Sequence, residues 1–349
     1  MEKRSVFKDI VRFVIFIGIA VLIVWLFWRQ LSPEEISQMF DSFRNANYWW
    51  LLPALGFGVL SHILRAWRWK MLLYPLGYKP KMWNMIFSVS IAYFANLAIP
   101  RIGEVARCGI LTKYEKIPIA KSLGTVITER AVDMITFLLL FIINLFVQRE
   151  LAMKCLKDIV SSGENPNPTK WIVIVSVFVV LLAAVILWMR YVRKHHIDNK
   201  FVNKVVDTIK GFADGIKSMV YVKSPFMFIL SSLLIWVCYM YMSKMLFHCI
   251  PETAGLGYDA AISGLAFCTI GTILLPGGIG LYPVLASAIY SLYGVESGVG
   301  FALGWMIWAN QTVIVIIAGI ISLIILPIYN KTEHDSSITT TENTDSQAV

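Results

Sequence analysis

The chain has 349 residues, of which 57% are hydrophobic and only 15% charged, and its mean hydropathy is +0.67. This composition excludes an ordinary soluble domain, which needs a charged surface that the chain lacks. The formal net charge of +9 is typical of cytoplasmic loops that face anionic lipid, and because no nucleic-acid-binding motif is visible, we expect no nucleic acid as a partner.

Eight apolar stretches approach the roughly 20 residues that a helix needs to cross a bilayer. None has the alternating pattern of a β-barrel strand, so the predicted fold is all-α, a polytopic membrane helical bundle. Two of the stretches end in Pro and Gly and are predicted to be broken or re-entrant, which leaves about six full spans. The stretches are Phe13–Trp28, Tyr48–Leu64, Met82–Pro100, Ala131–Val147, Trp171–Met189, Pro225–Cys249, Ala260–Pro276 and Gly300–Tyr329.

The distribution of Lys and Arg predicts the orientation of the chain. The amino-terminal segment is basic and is expected in the cytoplasm, as are the basic blocks 65–81 and 190–223. Three apolar stretches separate these two blocks, and an odd number of crossings cannot join two loops on the same side. We therefore predict that Met82–Pro100 enters from the cytoplasm and returns without crossing, because Pro100 and Gly103 interrupt the helix there.

The second half of the chain repeats this pattern with the opposite orientation. Ala260–Pro276 leads into a second break, Pro276–Gly280, whose Pro-then-Gly order resembles that of Ile99–Gly103. Paired Gly/Pro-interrupted segments in two halves are typical of inverted-repeat transporters, whose substrate site lies at the repeat interface. The alternative is that the two breaks are alike only because many membrane loops contain Pro and Gly.

We predict one transmembrane domain over residues 1–329 and a disordered cytoplasmic tail over 330–349. The first half, 1–190, is joined to the second half, 225–329, by the linker 191–224. In that linker, apolar residues at helical spacing lie opposite lysines, which indicates an amphipathic helix on the membrane surface or on the protein's own cytoplasmic surface. The protein is thus expected to be a multi-pass protein of the cell (cytoplasmic) membrane, with both termini in the cytoplasm.

Charged residues within an apolar stretch provide the strongest functional signal. Glu129 and Asp133 lie four residues apart on one helical face, and Arg130 lies beside them. A charge inside the bilayer costs about 2.5–3.5 kcal/mol on insertion scales, so these residues need partners or a task. We expect Arg101 and Arg107 to be the counter-charges, in an Arg–carboxylate cluster beside the first break. The alternative is that the acidic pair lies at the cytoplasmic interface and only fixes the end of the helix.

Other polar and aromatic residues have simpler explanations. His62 and Arg65, at the predicted end of the second span, are expected to contact lipid headgroups, and Trp69 is expected in an interfacial aromatic belt. Asn310 supplies a polar group near the predicted midplane, although a hydrogen bond between helices would also explain it. The five cysteines are scattered without a CxxC pair, so neither a disulfide framework nor a metal site is expected.

Three motifs carry a resemblance to a known family. In chain order, Asn96–Arg107, Thr128–Asp133 and Pro276–Gly280 are similar to motifs of the lysylphosphatidylglycerol synthase transmembrane region family, also called flippase-like or UPF0104-type membrane proteins. The resemblance implies a multi-pass domain that handles lipids or lipid-linked sugars. In family members fused to a soluble transferase, this region is credited with moving the modified lipid between leaflets. Only a short polar tail follows Tyr329, so aminoacyl transfer is not expected, and Leu281–Pro283 lacks the acidic residue of the family pattern.

These observations predict a flippase or transporter that moves a phospholipid or lipid-linked headgroup between leaflets of the cytoplasmic membrane. Guanidinium groups bind two phosphate oxygens at once, so the expected substrate has an anionic or phosphate-bearing headgroup. No catalytic residue, metal or cofactor is expected, and no Walker motif indicates direct use of ATP. The candidate substrate-binding residues are Asn96, Arg101, Gly103, Glu104, Arg107, Glu129, Arg130, Asp133, Pro276, Gly277, Gly278, Gly280 and Asn310.

Two other classes of function stay open at this point. One is an integral-membrane enzyme that modifies lipids. The other is a non-catalytic membrane partner of an envelope-biogenesis enzyme. A homo-oligomer is compatible with each of these functions.

Overall fold

The computed structural model describes residue 18, the ranges 20–99 and 101–148, residue 222 and the range 224–345. Within these residues every regular element is a helix, and no strand occurs, which confirms the all-α prediction for this part of the chain. The predicted span Trp171–Met189 and nearly all of the predicted linker 191–224 lie outside the described residues.

The helices of the described part are numbered α1 to α10 in chain order. Short 3-10 turns lie between several of them, at Tyr48–Trp50, Tyr74–Leu76, Pro251–Thr253 and Pro276–Gly278. The α-helices are α1 (20–28), α2 (Pro33–Arg44), α3 (Leu51–Leu73), α4 (Met82–Ala98), α5 (Ile102–Glu115), α6 (Ile119–Val147), α7 (Pro225–Phe247), α8 (Tyr258–Leu274), α9 (Leu281–Ser291) and α10 (Ser297–Asp345).

Two of the described helices, Pro225–Phe247 and Ser297–Lys331 within α10, are long and apolar enough to cross a membrane by length and composition. The largest group of buried hydrophobic residues packs around α10 and includes Phe247, Phe301 and Ile307, which are at most 1% exposed. The long last helix packs mainly against α9, α4, α2 and α3.

Helix α3 is longer than the apolar pattern predicts. The apolar stretch ends at Leu64, but the helix continues without interruption to Leu73 and packs along α7. Arg65 and Arg68 consequently lie on a helix instead of in a cytoplasmic turn, and both are buried. The charges do not end the helix because partners inside the protein neutralise them, as described below.

Helix α6 begins earlier than the predicted span, at Ile119 instead of Ala131, and has 29 residues. At 1.5 Å per residue it is about 43 Å long, and Glu129 and Asp133 lie near its middle. These two residues therefore do not lie at a helix end, and their depth in the membrane stays a prediction.

The first break lies between α4 and α5, which pack against each other as a helical hairpin. The stretch 101–121 contains helix α5, and Arg101 before it has a φ of 70°. The backbone N–H of Gly103 donates to Asn96 Oδ1 at 2.8 Å. A Cβ at Gly103 would overlap the carbonyl oxygen of Ala92, so only glycine allows the two helices to approach this closely.

The second break joins α8 and α9, which form another packed hairpin. Its turn needs positive φ angles, which are 63° at Gly277, 72° at Gly278 and 74° at Gly280. A Cβ at Gly277 would contact Leu97 near the end of α4, so the two breaks lie beside each other. The inverted repeat and the number of full spans stay predictions.

Helix α10 continues over most of the segment for which composition predicted disorder. It is continuous from Ser297 to Asp345 and contains Pro327. The domain division, with its tail over residues 330–349, stays a prediction. Extending an existing helix avoids the unfavourable nucleation step, so a polar sequence can continue a helix that a polar sequence alone would not begin.

Candidate functional site

A buried carboxylate on α6 lies at the centre of a cluster of arginines. The Glu129 side chain is completely buried and accepts hydrogen bonds from guanidinium groups on two other helices, α3 and α5. The donors are Arg107 Nη1 at 2.7 Å, Arg68 Nη2 at 3.3 Å and Arg65 Nη1 at 3.5 Å. Glu129 therefore connects α3, α5 and α6.

A second carboxylate lies one turn further along α6. Asp133 accepts hydrogen bonds of 2.6 Å from Arg65 Nη1 and of 2.6 Å from Arg68 Nη2. Each of these arginines thus bridges both carboxylates, which relieves the repulsion between two acids one turn apart. The remaining Nη groups reach α7, where Arg68 donates to Ser232 and Arg65 donates to Tyr239, both at 3.2 Å.

Arg107 also contacts an aromatic ring. Its guanidinium carbon lies 4.4 Å from the ring centroid of Trp69, a cation–π distance. The indole Nε1 of Trp69 donates to Thr125 Oγ1 at 2.9 Å, which holds the ring against α6. Trp69 is fully buried, so the prediction of an interfacial aromatic role for it was wrong.

A more exposed ion pair borders the cluster on the side of the first break. Arg130 Nε donates to Glu104 Oε1 at 3.0 Å, and their side chains are 40% and 27% exposed. Arg130 Nη1 also lies 4.0 Å from Asp133 Oδ2. This pair connects the α4–α5 hairpin to the cluster. Both of its side chains are partly accessible to molecules outside the helical bundle.

The cluster carries an excess of positive charge. Within the described residues it contains the arginines at 65, 68, 107 and 130 and the carboxylates at 104, 129 and 133, so its formal net charge is +1 although each arginine contacts a carboxylate. Several guanidinium N–H groups of the buried arginines are also without a hydrogen-bond partner among these residues: Arg65 Nε, Arg68 Nε, Arg107 Nε and Arg107 Nη2. A net buried charge and unpaired buried N–H groups are both unfavourable, so this arrangement favours an anion.

A cavity of about 370 Å³ lies directly beside this cluster, between α3, α4 and α6 on one side and α7 to α10 on the other. Arg65, Arg130 and Asp133 line its charged end, and the Tyr93 and Tyr239 rings lie next to them. The other walls are mostly apolar or aromatic and include Phe137, Trp236, Met242, Leu265 and Ile273. A cavity with a few charged groups and apolar walls is the usual form of a ligand site.

Of the two arginines predicted as counter-charges, the structure pairs one with a carboxylate of α6. The Arg107–Glu129 pair is confirmed, at 2.7 Å. Arg101 was wrong as a counter-charge, because it is exposed at the start of α5 and forms no ion pair with either carboxylate. It has a left-handed backbone conformation and is the N-cap residue of α5. A substrate contact by Arg101 stays a prediction.

Arg65 and Arg68 take the place that was predicted for Arg101. Sequence reasoning missed them because the apolar pattern stops one residue before Arg65, which suggested a headgroup contact in a loop. A usable signal was present, since Arg65, Arg68 and Trp69 fall at i, i+3 and i+4 and so share one face of a continued helix. That face is the one that contacts α5 and α6.

The predicted glycines and amides lie at the two breaks or beyond them. Asn96 and Gly103 bind each other within the first hairpin, and Trp308 Nε1 donates to the Gly277 carbonyl at 2.7 Å in the second. A Cβ at Gly280 would meet α1, so protein fills the space beside this glycine. Asn310 does not line the charged cavity, whereas its neighbour Gln311 does. Substrate binding by these residues stays a prediction.

The described part of the chain is thus a helical bundle that contains a buried ionic cluster beside a cavity, and ionisable residues within apolar helices are typical of integral membrane proteins at functional positions. The chain belongs to the family described as the lysylphosphatidylglycerol synthase TM region, whose model matches residues 10–319. The motif resemblance is thereby confirmed, and the protein is an integral membrane protein of this family.

A UPF0104 membrane protein of Methanocaldococcus jannaschii is 32% identical to this chain over 108 residues, which are 30% of this chain and 32% of the relative. The match thus spans about a third of the relative's length. No solved structure matches the chain.

Proposed function

We propose that the protein is a lipid flippase of the cytoplasmic membrane, with both termini in the cytoplasm, that moves a phospholipid or a lipid-linked headgroup between leaflets. The observation that supports this most directly is the excess positive charge beside a cavity between the halves. Membership of a family named for the membrane region of a lipid-modifying protein is consistent with it.

In this proposal the headgroup binds at the charged end of the cavity. Arg65 and Arg130 line the cavity, and Arg130 is the more accessible of the two. A guanidinium group can donate two parallel hydrogen bonds to a phosphate, so these two side chains would hold an anionic headgroup in a defined orientation. Asp133 would keep Arg65 in place and limit the net charge that the substrate has to neutralise.

The apolar part of the substrate would remain near the bilayer. Two residues of the cavity wall, Met134 and Ile273, are 41% and 55% exposed on the outside of the helical assembly. In this proposal their exposed surface contacts acyl chains, which would give the cavity a lateral opening to lipid. Only the headgroup then needs a polar path across the membrane, which lowers the main barrier to translocation.

Arg107 and Glu129 would have a supporting role. Neither lines the cavity, and their 2.7 Å pair lies behind Arg65. They would fix the positions of Arg65 and Asp133 from α5 and α6. We further propose that translocation is downhill or coupled to an ion gradient, because no ATP-binding motif is present in the sequence.

The proposal can be tested with purified protein in phosphatidylcholine vesicles that contain a fluorescent phosphatidylglycerol. Reduction by external dithionite reports how fast the labelled lipid reaches the outer leaflet. We expect Arg130→Gln to slow translocation about tenfold, because it removes charged hydrogen bonds to the phosphate. Arg130→Lys keeps the positive charge but cannot donate two parallel hydrogen bonds, so it should retain intermediate activity. Arg44→Gln on α2 is a matched control and should translocate normally.

Two results would contradict the flippase proposal. If the labelled headgroup is chemically altered but never changes leaflet, the protein is an enzyme. If the protein alone translocates nothing, but a stoichiometric partner co-purifies with it and carries the activity, the protein is a membrane partner.

A further inference from the structure

A second cavity, of about 420 Å³, lies beside a different face of α10. Its walls come from α2, α3 and α10 and include Phe43, Leu51, Leu55, Trp305 and Val313. Among the described residues no charged side chain lines it, in contrast to the cavity beside the arginines. Leu55 precedes Arg65 by ten residues on α3, so the two sites are about 15 Å apart along that helix.

One polar side chain lines this second cavity with no interaction to explain it. Asn310 is only 4% exposed, and neither its amide nitrogen nor its amide oxygen has a hydrogen-bond partner among the described residues. The adjacent Gln311 points into the charged cavity, since successive side chains on a helix differ in direction by about 100°. Buried amides are almost always hydrogen-bonded, so this one indicates a ligand that supplies the bonds.

The chemistry of the cavity defines that ligand. An amide offers both donors and an acceptor, and a hydroxyl group is the smallest partner that can satisfy both. Because no charged side chain lines the cavity, a charged headgroup would enter it without compensation. Val313, which lines the cavity, is 43% exposed and lies on a stretch of α10 that is long and apolar enough to cross a membrane, so we infer that the cavity opens toward the bilayer.

We propose that this cavity binds an uncharged lipid that carries one free hydroxyl group, as diacylglycerol does. The hydroxyl exchanges hydrogen bonds with the Asn310 amide, and an alkyl chain packs against Leu51, Leu55 and Trp305. The site is separate from the arginine cluster and does not depend on the flippase proposal. It gives the protein a neutral lipid ligand in addition to the phosphate-bearing one.

The experiment uses the full chain in phosphatidylcholine vesicles that contain a photoactivatable diacylglycerol. After illumination, mass spectrometry of peptides locates and quantifies the crosslinks. We expect crosslinks in Leu51–Leu55 and in Trp305–Val313. An analogue with its hydroxyl acetylated should label these segments about fivefold less, because it can no longer donate to the amide oxygen.

Variants distinguish the contribution of the Asn310 amide to lipid binding from that of the cavity space. Asn310→Leu should lower diacylglycerol labelling to the level of the acetylated analogue, whereas Gln311→Leu, which removes an amide from the same turn, should leave it unchanged. Val313→Trp should abolish labelling by filling the cavity while Asn310 is intact. If Asn310→Leu does not fold, the comparison of the two analogues on the unmodified protein still decides the question.

Three results would overturn the proposal. They are equal labelling by diacylglycerol and its acetylated analogue, unchanged labelling of a folded Asn310→Leu variant, and equal labelling of these segments by a photoactivatable phosphatidic acid with the same chains. The last result would show that the cavity accepts a charged headgroup. A failure of lipid translocation in the vesicle assay would not affect any of these outcomes.

Discussion

The two cavities beside α10 differ in whether the buried polar groups next to them have hydrogen-bond partners. Beside the charged cavity, Glu129 and Asp133 are bound by arginines from two other helices, at distances down to 2.6 Å. In the second cavity, the amide of Asn310 is also buried, but it has no partner among the described residues. The comparison teaches that burial alone does not indicate a role. A bound polar group joins helices, and an unbound one offers its bonding capacity to a ligand.

The same difference determines what each region contributes to stability. Each member of the arginine cluster neutralises others, so the loss of one leaves a buried charge uncompensated. The loss of the Asn310 amide removes a group that is already unsatisfied. Opposite signs of the change in unfolding free energy are therefore the clearest expectation from the comparison.

The largest effect is expected for Glu129→Gln. This change removes the negative charge that Arg107 contacts at 2.7 Å and leaves buried arginines in greater excess. We expect the free energy of unfolding to fall by about 3–5 kcal/mol, measured by titration of the protein in mixed micelles with SDS. Glu252→Gln, at an exposed carboxylate of the Pro251–Thr253 turn, is the control. Equal stability of Glu129→Gln and the unmodified protein would show that the cluster does not join the helices as described.

The second effect concerns the hairpin that presents Arg107 to the cluster. Gly103→Ala would place a Cβ against the Ala92 carbonyl, so we expect a loss of about 1–3 kcal/mol as α4 and α5 move apart. Gly109→Ala on the same helix is a matched control, since nothing lies within 4 Å of its Cβ position. It should be neutral or slightly stabilising. If the two variants lose equal stability in the SDS titration, the close approach at Gly103 has no energetic role.

The all-helical class and the Arg107–Glu129 pair could be predicted from the sequence because their signals are local. Long apolar stretches indicate helices in a membrane, and two acids one turn apart require cations nearby. The partnership of Arg65 could not be predicted in the same way, because its carboxylates lie 64 and 68 residues further along the chain. Hydropathy marks such an arginine as the end of a span, and only the packing of α3 against α6 reveals that it is neutralised.

The second cavity illustrates a limit of a different kind. Asn310 was visible in the sequence as a polar residue in an apolar helix, and both substrate binding and a bond between helices were compatible with that. The choice between them depends on the shape of the space between α2, α3 and α10, which no local pattern records. The structure removes the bond between helices as an explanation within the described residues.

The third prediction is a change in the free energy of unfolding of opposite sign to the first. Asn310→Leu replaces an unpaired amide by an apolar side chain of similar size, so in detergent without added lipid it should raise the free energy of unfolding by about 1–2 kcal/mol. The same SDS titration measures it. Gln311→Leu tests whether any polar residue on this turn behaves in this way. A clear loss of stability in Asn310→Leu would mean that the amide is bound after all, and the contrast between the cavities would fail.

The smallest effect concerns the wall of the apolar cavity. Helix α2 contributes Phe43 to this wall, and a capping box stabilises the beginning of α2. In the capping box, Ser32 Oγ accepts a hydrogen bond from the backbone N–H of Glu35, and the Glu35 carboxylate accepts one of 2.8 Å from the backbone N–H of Ser32. Ser32→Ala should destabilise α2 by about 1 kcal/mol, seen as faster hydrogen exchange of its amides. Ser37→Ala, at an exposed serine of the same helix, is the control.

The same cap makes the apolar wall sensitive to acid. The bond from the Ser32 backbone N–H lowers the pKa of Glu35 below its ordinary value of 4.5. A carboxyl whose pKa is lower in the folded state contributes stability above its unfolded pKa and loses this contribution as the pH falls through the folded value. Exchange of the α2 amides, corrected for its intrinsic pH dependence, should therefore increase on acidification below about pH 4.5. Glu35→Gln should abolish this increase, whereas Glu34→Gln, in the same turn, should retain it. If Glu34→Gln abolishes it instead, the negative charge at the helix start, and not the capping bond, holds this wall of the cavity.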